Sequence, residues 1–229
     1  MKIISLNTWN GKCREDLEVF IREQKETTDI FLFQEASVEM DKIRRQELKG
    51  WPSLSLQKLE VAYDDELFQM IVFRKGIRLV TAGTFFVEDD EQGLGLWAEM
   101  RMGDQSYIVC NIHGIATPVD KQDCDSRRRQ SQEILDFLKG KTGKHIIMGD
   151  FNLFPETESI QTFEAHGYKN LIKDYAIETT RNELAWSLYP GNKQLWADYA
   201  FVGPGVEVTD FQVPQNEISD HLPMILEIA

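Results

Sequence analysis

At 229 residues, with 42% apolar and 28% charged side chains, the chain is long enough for one sizeable core, and its composition argues against disorder. A formal net charge of −13 disfavours tight, sequence-independent gripping of duplex DNA, because that mode needs a basic face. No run of about 18 apolar residues occurs, so no segment is expected to span a membrane. Along the chain, Lys2–Leu6 reads as a strand that turns polar at Asn7, without the apolar core of a signal peptide. Asp16–Lys25 reads as a helix, since Leu17, Phe20 and Ile21 share one face. A second strand, Ile30–Phe33, is followed by a weaker helix at Val38–Leu48. Consecutive strand-like runs come next, at Phe68–Phe73, Arg78–Val87, Leu94–Met102 and Ser106–Ile112, which predicts antiparallel pairing there. Asp125–Leu138 reads as a helix with Ile134, Leu135 and Leu138 on its apolar face, Lys144–Met148 as a short buried strand, and Ser159–Ala165 as a helix. Tyr199–Val202, Val206–Phe211 and Met224–Ile228 close the chain as strands.

There is no internal repeat, low-complexity tract or Pro/Gly/Ser linker, so residues 1–229 read as a single domain of two packed sheets with helices outside. Cys13, Cys110 and Cys124 cannot all pair within one chain and lack CxxC spacing. They read as reduced thiols in a cytoplasmic protein. The densest basic cluster, Arg127-Arg128-Arg129, reads first as a solvated helix face.

A pattern recurs where strands meet loops. The first strand runs into Asn7 and the second into Gln34-Glu35. The strand ending at Ile112 runs into His113, and the one ending at Met148 runs into Gly149-Asp150-Phe151-Asn152. Asp198 and Ser219-Asp220-His221 stand just before the strands at Tyr199 and Met224. Each junction alone has a bland reading: Asn7, Asp150 and Asn152 as turn residues, Glu35 as a helix N-terminal acid. Six such junctions carrying only Asn, Glu, Asp and His form one site if the strand ends share a rim. Carboxylate and amide oxygens suit a hard cation such as Mg²⁺ or Mn²⁺, and histidines among carboxylates suit acid/base work. No Walker-type glycine loop is present. A metal and an acid/base histidine acting on water point to hydrolysis of a phosphoester.

The stretches Ser5-Leu6-Asn7-Thr8-Trp9-Asn10, Phe33-Gln34-Glu35, Asn111-Ile112-His113-Gly114, Gly149-Asp150-Phe151-Asn152, Asp198-Tyr199-Ala200-Phe201-Val202 and Ser219-Asp220-His221-Leu222-Pro223 resemble the ordered motif set of the endonuclease/exonuclease/phosphatase family, to which deoxyribonuclease I belongs. Gly-Asp-Phe-Asn followed at a distance by Ser-Asp-His is the specific part. The resemblance implies an α/β (α+β) fold, a four-layer α/β/β/α sandwich of two mixed sheets packed face to face with helices outside. It implies Mg²⁺ (or Mn²⁺) held by Glu35, with Asn7 beside it and Asp220 in or near the metal shell. It further implies that Asp150 and Asn152 hold or activate the water, that His113 donates to a phosphate oxygen, and that Asp198 orients His221. Whether Asp150 or His221 takes the water's proton stays open, as does the number of ions. Arg127 with Gln130 resembles the family's Arg-x-x-Gln. Many nuclease members carry a Tyr after the histidine loop, and Ile115–Val119 has none; Glu66 is a weak match for the Glu that pairs with this histidine in deoxyribonuclease-like members.

Arg127, Arg181 and Trp186 are candidate substrate-binding residues, and Thr180–Gln194 is expected to form a loop over the site. Trp9, Lys12, Trp97 and Trp196 are further candidates for the groove, with core packing the better reading for most of the tryptophans. The leading function is a metal-dependent phosphodiesterase or nuclease. The alternative is a phosphatase or phospholipase-type hydrolase of a small phosphorylated head group such as an inositol phosphate or lipid. A third is a binding module that kept the fold and lost the chemistry. The expected partner is a phosphoester substrate, and no obligate protein partner is evident.

Overall fold

Period-two burial along the first two strands sets the layering. In the computed structural model, which describes residues 1–59, 66–86, 93–188 and 190–229 (the side chains of 56–59 and 66–68 excepted), β1 (Lys2–Asn7) and β2 (Ile30–Ala36) pair in parallel. Ile3, Ile30 and Leu32 face the main apolar core between two sheets. Their neighbours Ile4, Leu6, Phe31 and Phe33 join a second cluster with Leu17 and Ile21 of α1 (Arg14–Gln24) and Met40 and Ile43 of α2 (Val38–Glu47). With both faces covered, these strands read as continuous apolar runs. α2 begins where the Ser37 side chain accepts from the Met40 N–H, an N-cap.

The first sheet adds β3 (Ser53–Leu59), β4 (Glu66–Phe73), β11 (Val208–Gln212) and β12 (Met224–Ile228), in the order β11-β12-β1-β2-β4-β3. The second has the order β5-β6-β7-β8-β10-β9. It consists of β5 (Arg78–Phe85), β6 (Leu94–Met102), β7 (Gln105–His113), β8 (Lys144–Asp150), β9 (Lys169–Asn170) and β10 (Asp198–Val202). Both sheets are mixed, since β1–β2 and β7–β8 are parallel and the other pairs antiparallel. α3 (Asp125–Leu138) contributes Ile134, Leu135 and Leu138 to the main core, and α4 (Glu158–Ala165) contributes Ile160 and Phe163. Two short helices, α5 (Leu171–Asp174) and α6 (Glu183–Leu188), complete the chain. This is the expected four-layer sandwich. Among the described residues no helix is long and apolar enough to cross a membrane.

The differences from expectation are local. β3, β9, α5 and α6 fall outside the predicted elements, although Ser53-Leu54-Ser55-Leu56 alternates as an edge strand does. The strand expected at Arg78–Val87 ends at Phe85, because Phe86 adopts a left-handed φ of 65° that breaks the ladder; Val87 lies outside the described residues. Trp97 packs against Phe137 with ring centroids 4.5 Å apart and Trp196 packs on the main core, so both serve packing.

One glycine is required where β7 and β8 run side by side toward the site. Gly149 has φ of 146°, and a Cβ there would lie 2.0 Å from the carbonyl oxygen of Ile112. The three nearest atoms all belong to the Ile112 backbone, which leaves nothing flexible to yield. Gly149→Ala is therefore expected to destabilise by more than about 3 kcal/mol, read as a lower denaturant midpoint. A midpoint equal to that of the wild type would contradict this packing.

Candidate active site

The parallel pairs of the two sheets end together. β1 and β2 deliver Asn7 and Glu35; β7 and β8 deliver His113 and Asp150. Glu35 gets its direction from a β-bulge. Phe33 pairs with Met70 but Ala36 pairs with Phe68, so β2 carries one extra residue there, and Glu35 sits at φ of 47°. A bulge re-aims a side chain and frees ladder groups. Asn111 satisfies these: its Nδ2 donates to the carbonyls of Phe33 (3.0 Å) and Met70 (2.9 Å). The Gln34 Nε2 donates in turn to Asn111 Oδ1 at 2.6 Å and to Ser5 Oγ at 3.2 Å. A buried polar layer thus lies between the sheets beneath the site.

Above it, Asn7 Nδ2 lies 3.0 Å from Glu35 Oε1 and 3.0 Å from Asp150 Oδ2, donating to carboxylates of both sheets. Asn7 Oδ1 accepts from the Trp9 N–H at 3.0 Å. In this orientation the amide NH2 bridges the two carboxylates. His113 Nε2 stands 3.7 Å from Glu35 Oε1 and 3.9 Å from Asp150 Oδ2, too far for hydrogen bonds and suited to a group between them. Glu35, His113 and Asp150 present ligand atoms within 4.8 Å of one another, and so do Asp150, Asp198 and His221. Two carboxylates converging beside imidazoles fit a hard divalent cation with oxygen ligands, since a cation removes their mutual repulsion.

His221 Nδ1 donates to Asp198 at 2.9 Å, which fixes its tautomer and turns Nε2 toward Asp150 Oδ2, 3.7 Å away. The pair is pinned from behind. Ser219 Oγ donates to the Asn7 carbonyl at 2.7 Å, and Thr180 Oγ1 accepts the N–H groups of Ala197 and Asp198. Burial and Arg181 push the His221 imidazolium down, but Asp198, Asp220 and Asp150 outweigh them, so its pKa is raised. For Asp150, burial opposes ionisation, yet His221, Lys121, His113 and Arg181 together hold the carboxyl down at about 2.

Asn152, at φ of 54°, donates its backbone N–H to Asp150 Oδ1 at 2.9 Å. Asp220 Oδ2 is ion-paired with Arg181 at 2.8 Å, and its Oδ1 lies 4.0 Å from His221 Nε2, beside the site. Arg181 itself forms a β-bridge with His221, so it reaches the site. Arg127 does not present itself to a substrate. It is 1% exposed, and its guanidinium grips the carbonyls of Ile115, Pro118 and Gln122 and shapes the loop after His113. Trp186 is half-buried, with the Lys193 ammonium 3.9 Å over its ring, and Trp9 carries Lys12 at 4.2 Å. The expected loop at Thr180–Gln194 contains α6, and Gln194 Nε2 joins it to the Val119 carbonyl at 2.7 Å. The side chain of Glu66 lies outside the described residues.

Lys121 is a site residue absent from the sequence reading. It is 5% exposed and donates to Asn152 Oδ1 at 2.6 Å. A lysine in a polar loop carries no periodic or motif signal, so nothing in the sequence singles it out.

The model of the endonuclease/exonuclease/phosphatase family matches residues 4–221, nearly the whole chain and every residue of the site. The chain belongs to this family. Family members are hydrolases of phosphoesters and include nucleases, phosphodiesterases and phosphatases, generally with divalent metals. Solved structures agree on the fold. A family protein from Bacteroides vulgatus is 16% identical, with a TM-score of 0.80 over 100% of this chain and 98% of its own. A mannosyl-6-phosphatase from Bacteroides thetaiotaomicron is 19% identical, with a TM-score of 0.75 over 100% and 99%. The human Nocturnin catalytic domain, solved with a sulfate anion, is 15% identical, with a TM-score of 0.78 over 100% and 93%. No curated protein matches the chain significantly.

Since the Asp198 carboxylate stabilises the His221 imidazolium, Asp198→Asn is expected to lower the His221 pKa. Following the imidazole titration by NMR checks this; an unmoved or raised value would contradict the pairing.

Proposed function

We propose that the chain is a Mg²⁺- or Mn²⁺-dependent phosphodiesterase of nuclease type that drives water onto phosphorus. The observation that carries this reading is the convergence of Glu35 Oε1 and Asp150 Oδ2 on one amide, flanked by His113 and by the His221–Asp198 pair. Glu35 and Asp150 would hold the cation, which when bound supplies positive charge to the phosphoryl oxygens. Opposite shifts divide the other roles. Asp150 stays a carboxylate that orients the water and accepts its proton. The carboxylates around His221 raise its pKa and so favour the imidazolium, which donates through Nε2 as negative charge grows on the phosphoryl group. His113 Nε2 donates to a second phosphoryl oxygen, and Asn152 contacts the same group through its amide. Arg181, beside His221 and paired with Asp220, limits the negative charge at this rim and, with Trp186 and the rest of residues 180–194, selects the substrate.

A second reading is favoured by the net charge of −13: a phosphatase or phospholipase-type hydrolase of a small phosphorylated head group, such as an inositol phosphate, a sugar phosphate or a lipid. Such a substrate needs a local cationic rim rather than a long basic face. Three free cysteines, two of them half-buried and one buried, support a reducing, cytoplasmic setting.

One panel separates the readings: abasic-site DNA, single-stranded RNA, bis-p-nitrophenyl phosphate, and phosphorylated inositols, sugars and lipids, each with Mg²⁺ and Mn²⁺. Turnover of DNA or RNA supports the first reading, and turnover of phosphorylated inositols, sugars or lipids without turnover of nucleic acid supports the second; no turnover of any would overturn both. EDTA is expected to abolish the activity and added metal to restore it. Glu35→Ala should raise the metal concentration needed for half-maximal rate. His221→Ala should lower kcat by about 10²- to 10⁴-fold, with the thermal midpoint little changed; normal rates in both variants would contradict the assigned roles.

A further inference from the structure

The loop between His113 and α3 is held at both ends of a short stretch. Arg127 grips the carbonyls of Ile115, Pro118 and Gln122, the Phe154 N–H donates to the Lys121 carbonyl at 3.0 Å, and Lys121 itself is held at φ of 54°. That backbone delivers a lysine side chain into the protein rather than out to water, where an ammonium is best solvated. Its Nζ has one hydrogen-bond partner among the described residues, the Oδ1 of Asn152. An ammonium can only donate, so the atom facing it must be the amide oxygen, and Nδ2 is turned the other way, toward the Gly114 carbonyl at a long 3.3 Å. The two ends of an amide are nearly the same size. The strong, charge-assisted contact with Lys121 therefore decides which end faces which way.

We propose that Lys121 is a positioning residue that acts through Asn152, fixing the amide so that one Nδ2 N–H rests on Gly114 and the other stays directed at a phosphoryl oxygen of the substrate. The inference rests on the proposed role of Asn152 and names the group that sets it. The same backbone step ties Asn152 to Asp150, through the Asn152 N–H on Asp150 Oδ1, so a loosened amide also loosens the carboxylate that orients the water. Burial lowers the Lys121 pKa while the Asp150 carboxylate pulls it back.

The test is a double-mutant cycle of Lys121→Met and Asn152→Ala, read by kcat and KM on the best substrate of the panel, with the Asn152 side-chain NH2 resonances of wild type and Lys121→Met recorded in parallel. Lys121→Met is expected to lower kcat by about 10²-fold, the scale of one lost transition-state donor, with KM nearly unchanged. In the Asn152→Ala background the same change should cost less than about threefold. The Asn152 NH2 signals should shift or broaden in Lys121→Met. Wild-type kcat in Lys121→Met, or losses that multiply in the double variant, would overturn the proposal. If the wild type turned over no phosphoester, the proposed function would fall, whereas unmoved Asn152 NH2 signals would overturn the clamp itself. Should Lys121→Met not fold, Lys121→Gln takes its place in the cycle and in the spectra.

Discussion

The site depends on one amide. Asn7 Nδ2 donates to Glu35 from its own sheet and to Asp150 from the opposite one, 143 residues away in sequence. Two carboxylates brought this close repel one another, and the amide alone only moderates that repulsion. A cation sharing the space would make the arrangement favourable. Asn7 can serve this way because its oxygen is occupied by the Trp9 N–H, which leaves the NH2 end for the acids.

The sandwich exists to hold that geometry. Each sheet contributes a parallel pair whose C-terminal ends meet at the rim, and antiparallel β10 and β12 follow Asp198 and His221 there. Between the sheets the apolar core gives way, near the rim, to the layer of Ser5, Gln34, Gln69 and Asn111. The hydrogen bonds from Gln34, Gln69 and Asn111 join the two sheets at fixed residues, so this layer permits few alternative registers. Ser219 fastens the last motif to the first through the Asn7 carbonyl, and Ala197 accepts the N–H groups of Phe151 and Asn152. The groups of the candidate site are thus positioned by backbone contacts as much as by one another.

Much of this was legible in the sequence because strand ends carry their chemistry in place. Asn7, Glu35, His113, Asp150, Asp198 and His221 each adjoin an apolar run, and the run predicts where the strand stops. Most helices and strands were legible too, since α3, β6 and β12 bury one regular face or two. What hid from the sequence depends on side-chain direction. The orientation of the Asn7 amide, the pairing of Asp220 with Arg181 and the burial of Arg127 are set by contacts between segments far apart in the chain. Lys121 was illegible for the same reason: the grip of Arg127 on its loop and the Phe154 N–H on its own carbonyl turn it inward. The bulge at Glu35 likewise arises from the pairing of β2 with β4, not from local propensity.

On the proposed function, Glu35 and Asp150, brought from separate sheets, share a divalent ion. Anomalous diffraction from crystals soaked in Mn²⁺ tests it most directly. A strong peak is expected about 2.1–2.4 Å from a Glu35 oxygen, lying between Glu35 and Asp150 and close to His113. A peak elsewhere on the molecule, or none in crystals that diffract well enough to show the two carboxylates, would contradict it.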